Sequence, residues 1–466
     1  MSGGPLARPA FAELDVRFPE RFPKVSPRIP FRIALALSLL AAPLPAAAEL
    51  TRPERAMVAA VDAEQGRTLA MLEKWVNQNS GSLNIEGVTK VGDMLRAELE
   101  PLGFKVEWVD MKAAGRAGHI VAQHAGKPGA KRLLLIGHLD TVFEPDSPFQ
   151  RWTRKGNDGE GPGAGDDKGG MAVMVAALRA MKSAGTLKDA NIEIVLTGDE
   201  EDSGLPIELA RRDLVAAGKR ADVALDFEGL AQEGGPNGLR DMGSIARRSA
   251  GSWTLTVSAK SGHSSGVCSA FSGCGANYAL IDIVDRFRRE LPEDKLTFNV
   301  GLMGGGATAR LDEGGIRLDA TGKTNIIAAT AVARGDLRAL SREQIDRVQA
   351  KMRAIVAKPL AGATATIEFD PDGYPPMAPT AGNKALLDRL NLVNRDMGLE
   401  RMGTLDPLKR GAGDISFVAA DVDGLIGLGP ASRGDHAPGE TVDIASIWRQ
   451  AKRAAILMSR LVAENR

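Results

Sequence analysis

The residues best suited to chemistry in this 466-residue chain are histidines and carboxylates that follow short apolar segments. They are His138, Asp140, Glu200, Glu201, Glu228 and His436. Imidazole and carboxylate groups bind catalytic metal ions and also transfer protons. Any one of them alone would more often be part of a turn or a solvated loop. Their recurrence at the same place after successive segments predicts a site.

A glycine-rich turn adds an acidic pair to this set. Residues 161–165 run into Asp166 and Asp167, just before an apolar helical segment. Glycine lets the backbone approach a site closely and adopt unusual dihedral angles. The turn lacks the full pattern of a phosphate-binding loop. We predict that one of these aspartates bridges two metal ions. A set of His and carboxylate ligands without a thiolate favours an open catalytic site over a closed structural one.

Short apolar segments must position these residues. Segments 132–136, 192–196, 223–225 and 425–428 have the length of strands buried on both faces, and helical segments such as 170–181 lie between them. The pattern predicts an α/β fold with a mostly parallel sheet. The carboxyl ends of such strands form one rim, where ligand sites collect.

Two other regions have different patterns. Residues 51–102 are helical in periodicity. Within 249–369, residues 252–260 alternate in the manner of an antiparallel strand, with Trp253, Leu255 and Val257 on one face. Further strands are predicted at 296–301, 324–336 and 364–369, with helices at 277–289 and 342–356. This order predicts a two-layer α+β insert, after which the chain returns to the first domain near Gly373.

Composition argues against several classes of function. Lys plus Arg and Asp plus Glu both number 59, so no overall field attracts nucleic acid or an anionic membrane. The sequence has no basic patch interleaved with aromatic residues, which argues against a nucleic-acid-binding module. Affinity for a ligand must therefore come from a local site.

The first 48 residues read as a leader. An apolar run from Ile33 to Leu44 follows Arg32, and Ala46 to Ala48 offers a cleavage site before Glu49. Two prolines interrupt the run, which is short for a membrane span. We expect an exported protein, periplasmic or secreted, with no stable membrane insertion. Cys268 and Cys274 lack the spacing of a zinc site, and either a disulfide or two buried thiols would suit them.

Four motifs together resemble the co-catalytic (dinuclear) zinc peptidase family. They are Gly137 to Thr141, Gly165 to Gly170, Asp199 to Glu201, and Asp435 with His436. That family includes glutamate carboxypeptidase, succinyl-diaminopimelate desuccinylase and the aminoacylases, and the chain looks most like the bacterial glutamate carboxypeptidase. The likeness covers almost the whole mature chain in the same order.

The resemblance implies a role for each residue. His138 and Glu228 would ligate one zinc ion, Glu201 and His436 the second, and Asp166 would bridge both. Asp226 is the alternative to Glu228. Asp140 would orient His138, and Glu200 would be the general base.

The resemblance also implies a domain plan. A phosphorylase/hydrolase-like catalytic domain, residues 49–248 and 373–466, would carry a ferredoxin-like lid and dimerisation domain at 249–372. His263 would reach the partner's site in a homodimer, and Asn325 and Arg338 would help hold the substrate. The carboxylate-binding arginine of glutamate-specific relatives is missing near Gly373. Arg247, Arg248, Arg410 or the backbone of Gly411 to Gly413 could replace it.

The predicted function is hydrolysis of an amide bond, with release of a C-terminal amino acid from a peptide or N-acyl substrate. The implied cofactor is two Zn²⁺ per subunit, although other divalent metals would suit the same ligands. An aminoacylase or dipeptidase with the same site is the alternative. A non-catalytic periplasmic binding protein is a third reading, and the retention of Glu200 and every ligand argues against it.

Overall fold

The computed structural model describes residues 49–235 and 238–464. The predicted signal peptide and leader, residues 1–48, lie outside this range. Among the described residues, no helix has both the length and the apolar character needed to cross a membrane.

A six-stranded sheet organises the larger part of the chain. Its strands, in spatial order, are β1 (Lys105–Asp110), β2 (Gly118–His124), β6 (Asn191–Thr197), β3 (Arg132–His138), β7 (Val223–Asp226) and β20 (Gly424–Ile426). The pairs from β6 to β20 are parallel, as predicted. The pairs β1–β2 and β2–β6 are antiparallel. The sequence analysis did not identify β1 and β2. β1 is an edge strand of exposed and half-buried residues, and the apolar run of the interior strand β2 is only three residues long, Ile120 to Ala122.

Helices cover both faces of this sheet. They are α1 (Arg52–Ala63), α2 (Gln65–Val76), α3 (Ile85–Leu99), α4 (Lys168–Ser183), α5 (Ile207–Ala210), α6 (Arg212–Arg220), α9 (Ala381–Asp396) and α10 (Ile444–Ala463). Leu133 and Leu135 of β3 pack into the core that contains α4 and α10, whereas Leu134 and Ile136 pack into the core beside α6. Burial on both faces explains why β3 is a continuous apolar segment.

An antiparallel sheet forms a separate layer. It contains β12 (Thr297–Phe298), β17 (Thr330–Arg338), β10 (Gly251–Ala259) and β18 (Ala363–Phe369), with β13 (Leu302–Gly306) also paired to β17. Helices α7 (Ala276–Glu290) and α8 (Arg342–Val356) pack on one face, against the fully buried Trp253, Leu255 and Val257. The predicted fold class, an α/β catalytic domain with an inserted α+β lid, is confirmed. The boundaries at 248 and 372 stay predictions.

Short strands complete the fold. They are β4 (Thr153–Lys155), β5 (Asp158–Glu160), β8 (Ala231–Gly235), β9 (Gly238–Gly243), β11 (Gly262–His263), β14 (Thr308–Leu311), β15 (Leu318–Thr321), β16 (Ile326–Ile327), β19 (Gly403–Thr404), β21 (Ser432–Arg433) and β22 (Thr441–Asp443). A disulfide joins Cys268 and Cys274, of which Cys268 is exposed, so the alternative of two buried thiols is wrong.

Candidate metal centre

Five of the predicted residues meet at the carboxyl end of the main sheet. One ligand atom each from His138, Glu200 and Glu201 lies within 4.8 Å of the others, and the same holds for Asp166, Glu201 and His436. His138 is the last residue of β3, and the two glutamates follow β6. Glu201 belongs to both groups, which makes the two groups neighbours.

Asp166 lies between the two histidines. Its Oδ1 is 3.0 Å from Nε2 of His138, and its Oδ2 is 3.1 Å from Nε2 of His436. The same nitrogen of His436 is 3.2 Å from Oε2 of Glu201. A carboxylate whose two oxygens face different imidazoles has the arrangement expected of a ligand shared by two metal ions.

Asp140 is fully buried behind this group and fixes it from one side. Nδ1 of His138, opposite the nitrogen that faces Asp166, lies 3.2 Å from the backbone carbonyl oxygen of Asp140 and 3.3 Å from its Oδ1. Asp140 also accepts hydrogen bonds from the Ser82 hydroxyl at 2.6 Å and from the backbone N–H groups of Glu200 and Glu201, each at 3.1 Å. Asp140 therefore sets the ring orientation of His138 and the position of the two glutamates together.

The glycine-rich turn that carries Asp166 is held by Glu440. The Glu440 carboxylate accepts hydrogen bonds from the backbone N–H groups of Gly163, Gly165 and Asp166, at 2.8 to 3.1 Å. Gly163 has a φ of +75°, a conformation that favours glycine. A Cβ on Gly165 would lie 2.3 Å from Cβ of Ser432, so only glycine fits there.

His436 reaches the ligand group from a short hairpin. It lies in the loop between β21 and β22, and β22 pairs with β5 in a small separate sheet. The hairpin brings His436 over the rim of the main sheet. Contacts with Asp166 and then Glu201 raise the pKa of His436 to about 11.

Negative charge is concentrated behind these ligands. Burial, followed by the charge of Glu228, raises the pKa of Glu200 well above its ordinary value and that of Asp226 to about 8. In the described part of the chain, Oδ1 of Asp167 and Oδ2 of Asp226 are buried without a hydrogen-bond partner. Unpartnered carboxylate oxygens beside histidine and carboxylate ligands fit a divalent metal such as zinc, which takes nitrogen and oxygen ligands.

Glu228 and Asp226 remain rival ligands. Oε2 of Glu228 is 2.6 Å from Nη1 of Arg247, and Glu228 belongs to neither of the two groups of three. Its backbone N–H donates to Oδ1 of Asp226 at 3.0 Å. The two carboxylates are therefore adjacent, and the choice between them stays a prediction.

The predicted substrate-binding residues fall into two places. Arg338 lies beside the glycine loop, where its Nη1 would be 3.9 Å from a Cβ on Gly411. A Cβ on Gly413 would lie 2.0 Å from Nη1 of Arg247, so a larger residue would displace the ion pair with Glu228. Asn325 is exposed and accepts a backbone hydrogen bond from Ser264 through its carbonyl oxygen.

His263 lies apart from the ligand group. It is exposed in β11, and its Nδ1 contacts the hydroxyl of Ser265 at 2.8 Å. Among the described residues, no hydrogen bond or ion pair joins it to the ligands of its own chain. Its predicted role therefore depends on a second subunit.

Several residues that build the site were missed by the sequence analysis. They are Ser82, Arg211, Tyr374, Asp414 and Glu440. Each acts on a partner that is distant in sequence, as Glu440 does on Asp166. No local spacing could have identified them.

The fold and the paired ligand groups define a metal-dependent hydrolase of the α/β class. The pattern of Peptidase family M20/M25/M40 matches residues 134–460, and the chain belongs to this family. It is thus a metallopeptidase that hydrolyses amide bonds. The resemblance drawn from the four motifs is confirmed.

Individual relatives agree with this assignment. The chain is 28% identical over 415 residues to Carboxypeptidase G2 of Pseudomonas sp. (strain RS-16), covering 86% of this chain and 90% of that protein. It is 33% identical over 184 residues to the succinyl-diaminopimelate desuccinylase of Novosphingobium aromaticivorans, covering 37% and 46% of the two chains. The crystal structure of aminopeptidase PepT from Bacillus cereus superimposes with a TM-score of 0.68 at 18% identity, covering 86% of this chain and 99% of that chain. At that identity it shows the fold alone.

Proposed function

We propose that this enzyme is a dinuclear zinc carboxypeptidase, which cleaves the amide bond before a C-terminal amino acid in a peptide or N-acyl substrate. The observation that carries the proposal is the placement of Asp166, whose two oxygens face His138 and His436. The 28% identity to Carboxypeptidase G2 along most of both chains supports the substrate class.

His138, Asp166 and Glu228 or Asp226 would hold one ion, and Asp166, Glu201 and His436 would hold the other. Bound there, two zinc ions would supply an activated water molecule and stabilise negative charge on the substrate carbonyl oxygen. Their charges would also offset the repulsion among the clustered carboxylates, whose burial is otherwise costly.

Glu200 is the proposed proton carrier. Its carboxylate lies among the ligand atoms, and Asp140 holds its backbone N–H. In the proposed reaction, Glu200 takes a proton from the attacking water and passes it to the leaving nitrogen. A half-buried carboxyl group next to the attacking water can hold the proton between these two steps.

Arg410 is the best candidate to bind the substrate carboxylate. Arg247 is occupied by Glu228 and by the carbonyl oxygen of Gly411, and Arg248 binds Thr297 and two backbone carbonyls. Arg410 donates to the carbonyl oxygen of Gly229, and no carboxylate of the described residues forms an ion pair with it. Gly229 directly follows Glu228, so this hydrogen bond keeps the guanidinium close to a candidate ligand.

A panel of substrates tests the carboxypeptidase assignment. N-acyl amino acids and dipeptides with a free C-terminal carboxylate would be compared with their C-terminal amides. We expect kcat/KM to be about 10- to 100-fold higher for the free acids, the range for a charged hydrogen bond. Equal rates for acids and amides would contradict the proposal, and a preference set by the acyl group would favour an aminoacylase or desuccinylase.

The same panel tests Arg410. Arg410→Ala should raise KM for the free acids and remove their advantage over the amides, because it removes a bidentate donor. Lys409→Ala is the matched control, since Lys409 is exposed and pairs with Glu233. A loss of preference in both variants, or in neither, would remove Arg410 from the site.

A homodimer through the lid is also proposed. Exposed apolar side chains on or near α7, including Phe271, Tyr278 and Ile281, lie in the same part of the sequence as the exposed His263. Sedimentation would give the oligomeric state. Mixing inactive Glu200→Gln with inactive His263→Ala should restore part of the activity if His263 acts across the interface, and no recovery would contradict that role.

We propose that the protein is exported. The leader predicted in residues 1–48 supports this, as does the disulfide between Cys268 and Cys274, because disulfides persist in oxidising compartments. Expression of the full chain in a Gram-negative host, followed by N-terminal sequencing, should give a protein in the periplasmic fraction that begins near Glu49. Full-length protein in the cytoplasm would contradict export.

A further inference from the structure

The hydroxyl of Tyr374 is the centre of a hydrogen-bonded cluster outside the ligand set. It donates to the backbone carbonyl oxygen of Glu200 at 2.9 Å. Nη2 of Arg211 donates to it at 2.9 Å, and the Ser203 hydroxyl lies 3.0 Å away. One donor and two acceptor positions are therefore used, which is the full capacity of a phenolic hydroxyl.

The groups around this hydroxyl are themselves held in place. Arg211 is only 1% exposed and is held by Asp199 at 2.6 Å and by Asp414 at 2.7 Å. The ring of Tyr374 packs edge-on against Phe417, with 4.8 Å between centroids. A side chain fixed at both its ring and its hydroxyl is a rigid support rather than a mobile surface group.

The backbone of Glu200 depends on such support. Glu200 lies outside any helix or strand, in the turn after β6, so no ladder of backbone hydrogen bonds fixes it. Its N–H is held by Asp140, and its carbonyl oxygen by Tyr374. The two supports come from distant parts of the sequence. They meet at the peptide group between Glu200 and Glu201, whose N–H is held by Asp140 and whose carbonyl oxygen is held by Tyr374.

Tyr374 also belongs to the crossing between the two sheets. Its backbone N–H and carbonyl oxygen pair with Ala250, at 2.8 and 3.1 Å. Ala250 immediately precedes β10, on the outgoing crossing, and Tyr374 follows β18 on the return crossing. The residue that supports Glu200 is thus part of the connection through which the antiparallel sheet is attached.

We propose that Tyr374 is a positioning residue, which holds the carbonyl oxygen of Glu200 and so ties the orientation of the proton carrier to the crossing that carries the lid. This inference rests on the proposed function, in which Glu200 moves the proton. Removing the hydroxyl should lower the rate of the chemical step without weakening substrate or metal binding.

The test is Tyr374→Phe, with kcat, KM, bound metal and Tm measured on the same preparation. We expect kcat to fall roughly 5- to 20-fold, with KM within about twofold and metal content unchanged, as for the loss of one buried hydrogen bond that acts on geometry. Ser203→Ala is the matched control, because Ser203 contacts the same hydroxyl and Arg211 but not Glu200. It should retain kcat within about twofold.

A double variant separates positioning from general damage. In the Glu200→Gln background, Tyr374→Phe should cause no further loss of kcat, because its effect passes through Glu200. An unchanged kcat in Tyr374→Phe, an equal loss in Ser203→Ala, or a full additional loss in the double variant would each overturn the inference. If Glu200→Gln alone is as active as the wild type, the proposed function itself has failed.

Discussion

Asp140 connects three parts of the site through one buried carboxylate. One oxygen faces Nδ1 of His138, and both accept backbone N–H groups from the turn that contains Glu200 and Glu201. A carboxylate in that position fixes the imidazole and makes it a better ligand. Asp140 can therefore control the geometry of the candidate ligands without belonging to either group.

Asp140→Asn should therefore weaken metal binding. An amide cannot accept hydrogen bonds at both of its ends, so at least one N–H of the turn or the His138 contact is lost. We expect metal affinity to fall about 10- to 100-fold, the range for groups that orient a ligand. Competition with a chromogenic chelator measures it. Ser82→Ala removes only the hydroxyl that donates to Asp140 and should change affinity much less, and an equal loss in both variants would contradict the role given to Asp140.

At this scale the sequence predicted the candidate ligands that the fold brings together, but not the residues that support them. His138, Glu200 and Glu201 could be recognised because each lies at or shortly after the end of an apolar strand. Glu440 and Tyr374 could not, since each holds a backbone group that lies far away in the sequence. A hydrogen bond between a side chain and a distant backbone leaves no local pattern.

Among the elements, α8 is tied to the end of α7 by one carboxylate. Glu293 follows α7, and its two oxygens accept from Nη2 of Arg347 and Nζ of Lys351 on α8, both at 2.7 Å. The hydrogen bond from Arg347, followed by that from Lys351, lowers the pKa of Glu293 to about 2. The charged carboxylate thus helps to hold the two lid helices together.

The stabilisation of the lid helices by Glu293 should depend on pH in a defined direction. Because the pKa is lowered on folding, the contribution is present above the unfolded value of 4.5 and is lost as pH falls towards 2. Glu293→Gln should lower the free energy of unfolding by about 0.5 to 1 kcal/mol at pH 6, since the pair is near the surface. The difference from wild type in urea unfolding should shrink between pH 4.5 and 3. A difference that stays constant with pH would contradict the role given to Glu293. Glu290→Gln is the control, because Glu290 pairs with Arg286 of its own helix.

The elements themselves were predicted unevenly, for a physical reason. Strands β3, β6 and β7 are buried on both faces, and α8 was predicted at its observed bounds, because long periodic or fully apolar segments are distinctive. The β21–β22 hairpin was missed. Its strands are only two and three residues long, and their position depends on pairing with β5.

At the scale of the whole molecule, the site exists only when distant segments of the chain are folded together. Its ligands come from the ends of β3 and β6, from the turn before α4 and from the β21–β22 loop, while Tyr374 reaches it from the return crossing. The motif order made the family recognisable before any of these distances were known. In the proposed function, substrate binding also involves Arg410 and a second subunit, and both contacts stay proposals.

The most direct test compares Glu200→Gln with Glu201→Gln, two adjacent residues with different proposed roles. Zinc per chain and kcat would be measured for both variants and for the wild type. We predict two zinc ions in the wild type and in Glu200→Gln, with kcat reduced about 10²- to 10⁴-fold in the latter, and loss of zinc in Glu201→Gln. Substantial turnover by Glu200→Gln, or a wild-type protein that binds no metal, would contradict the account.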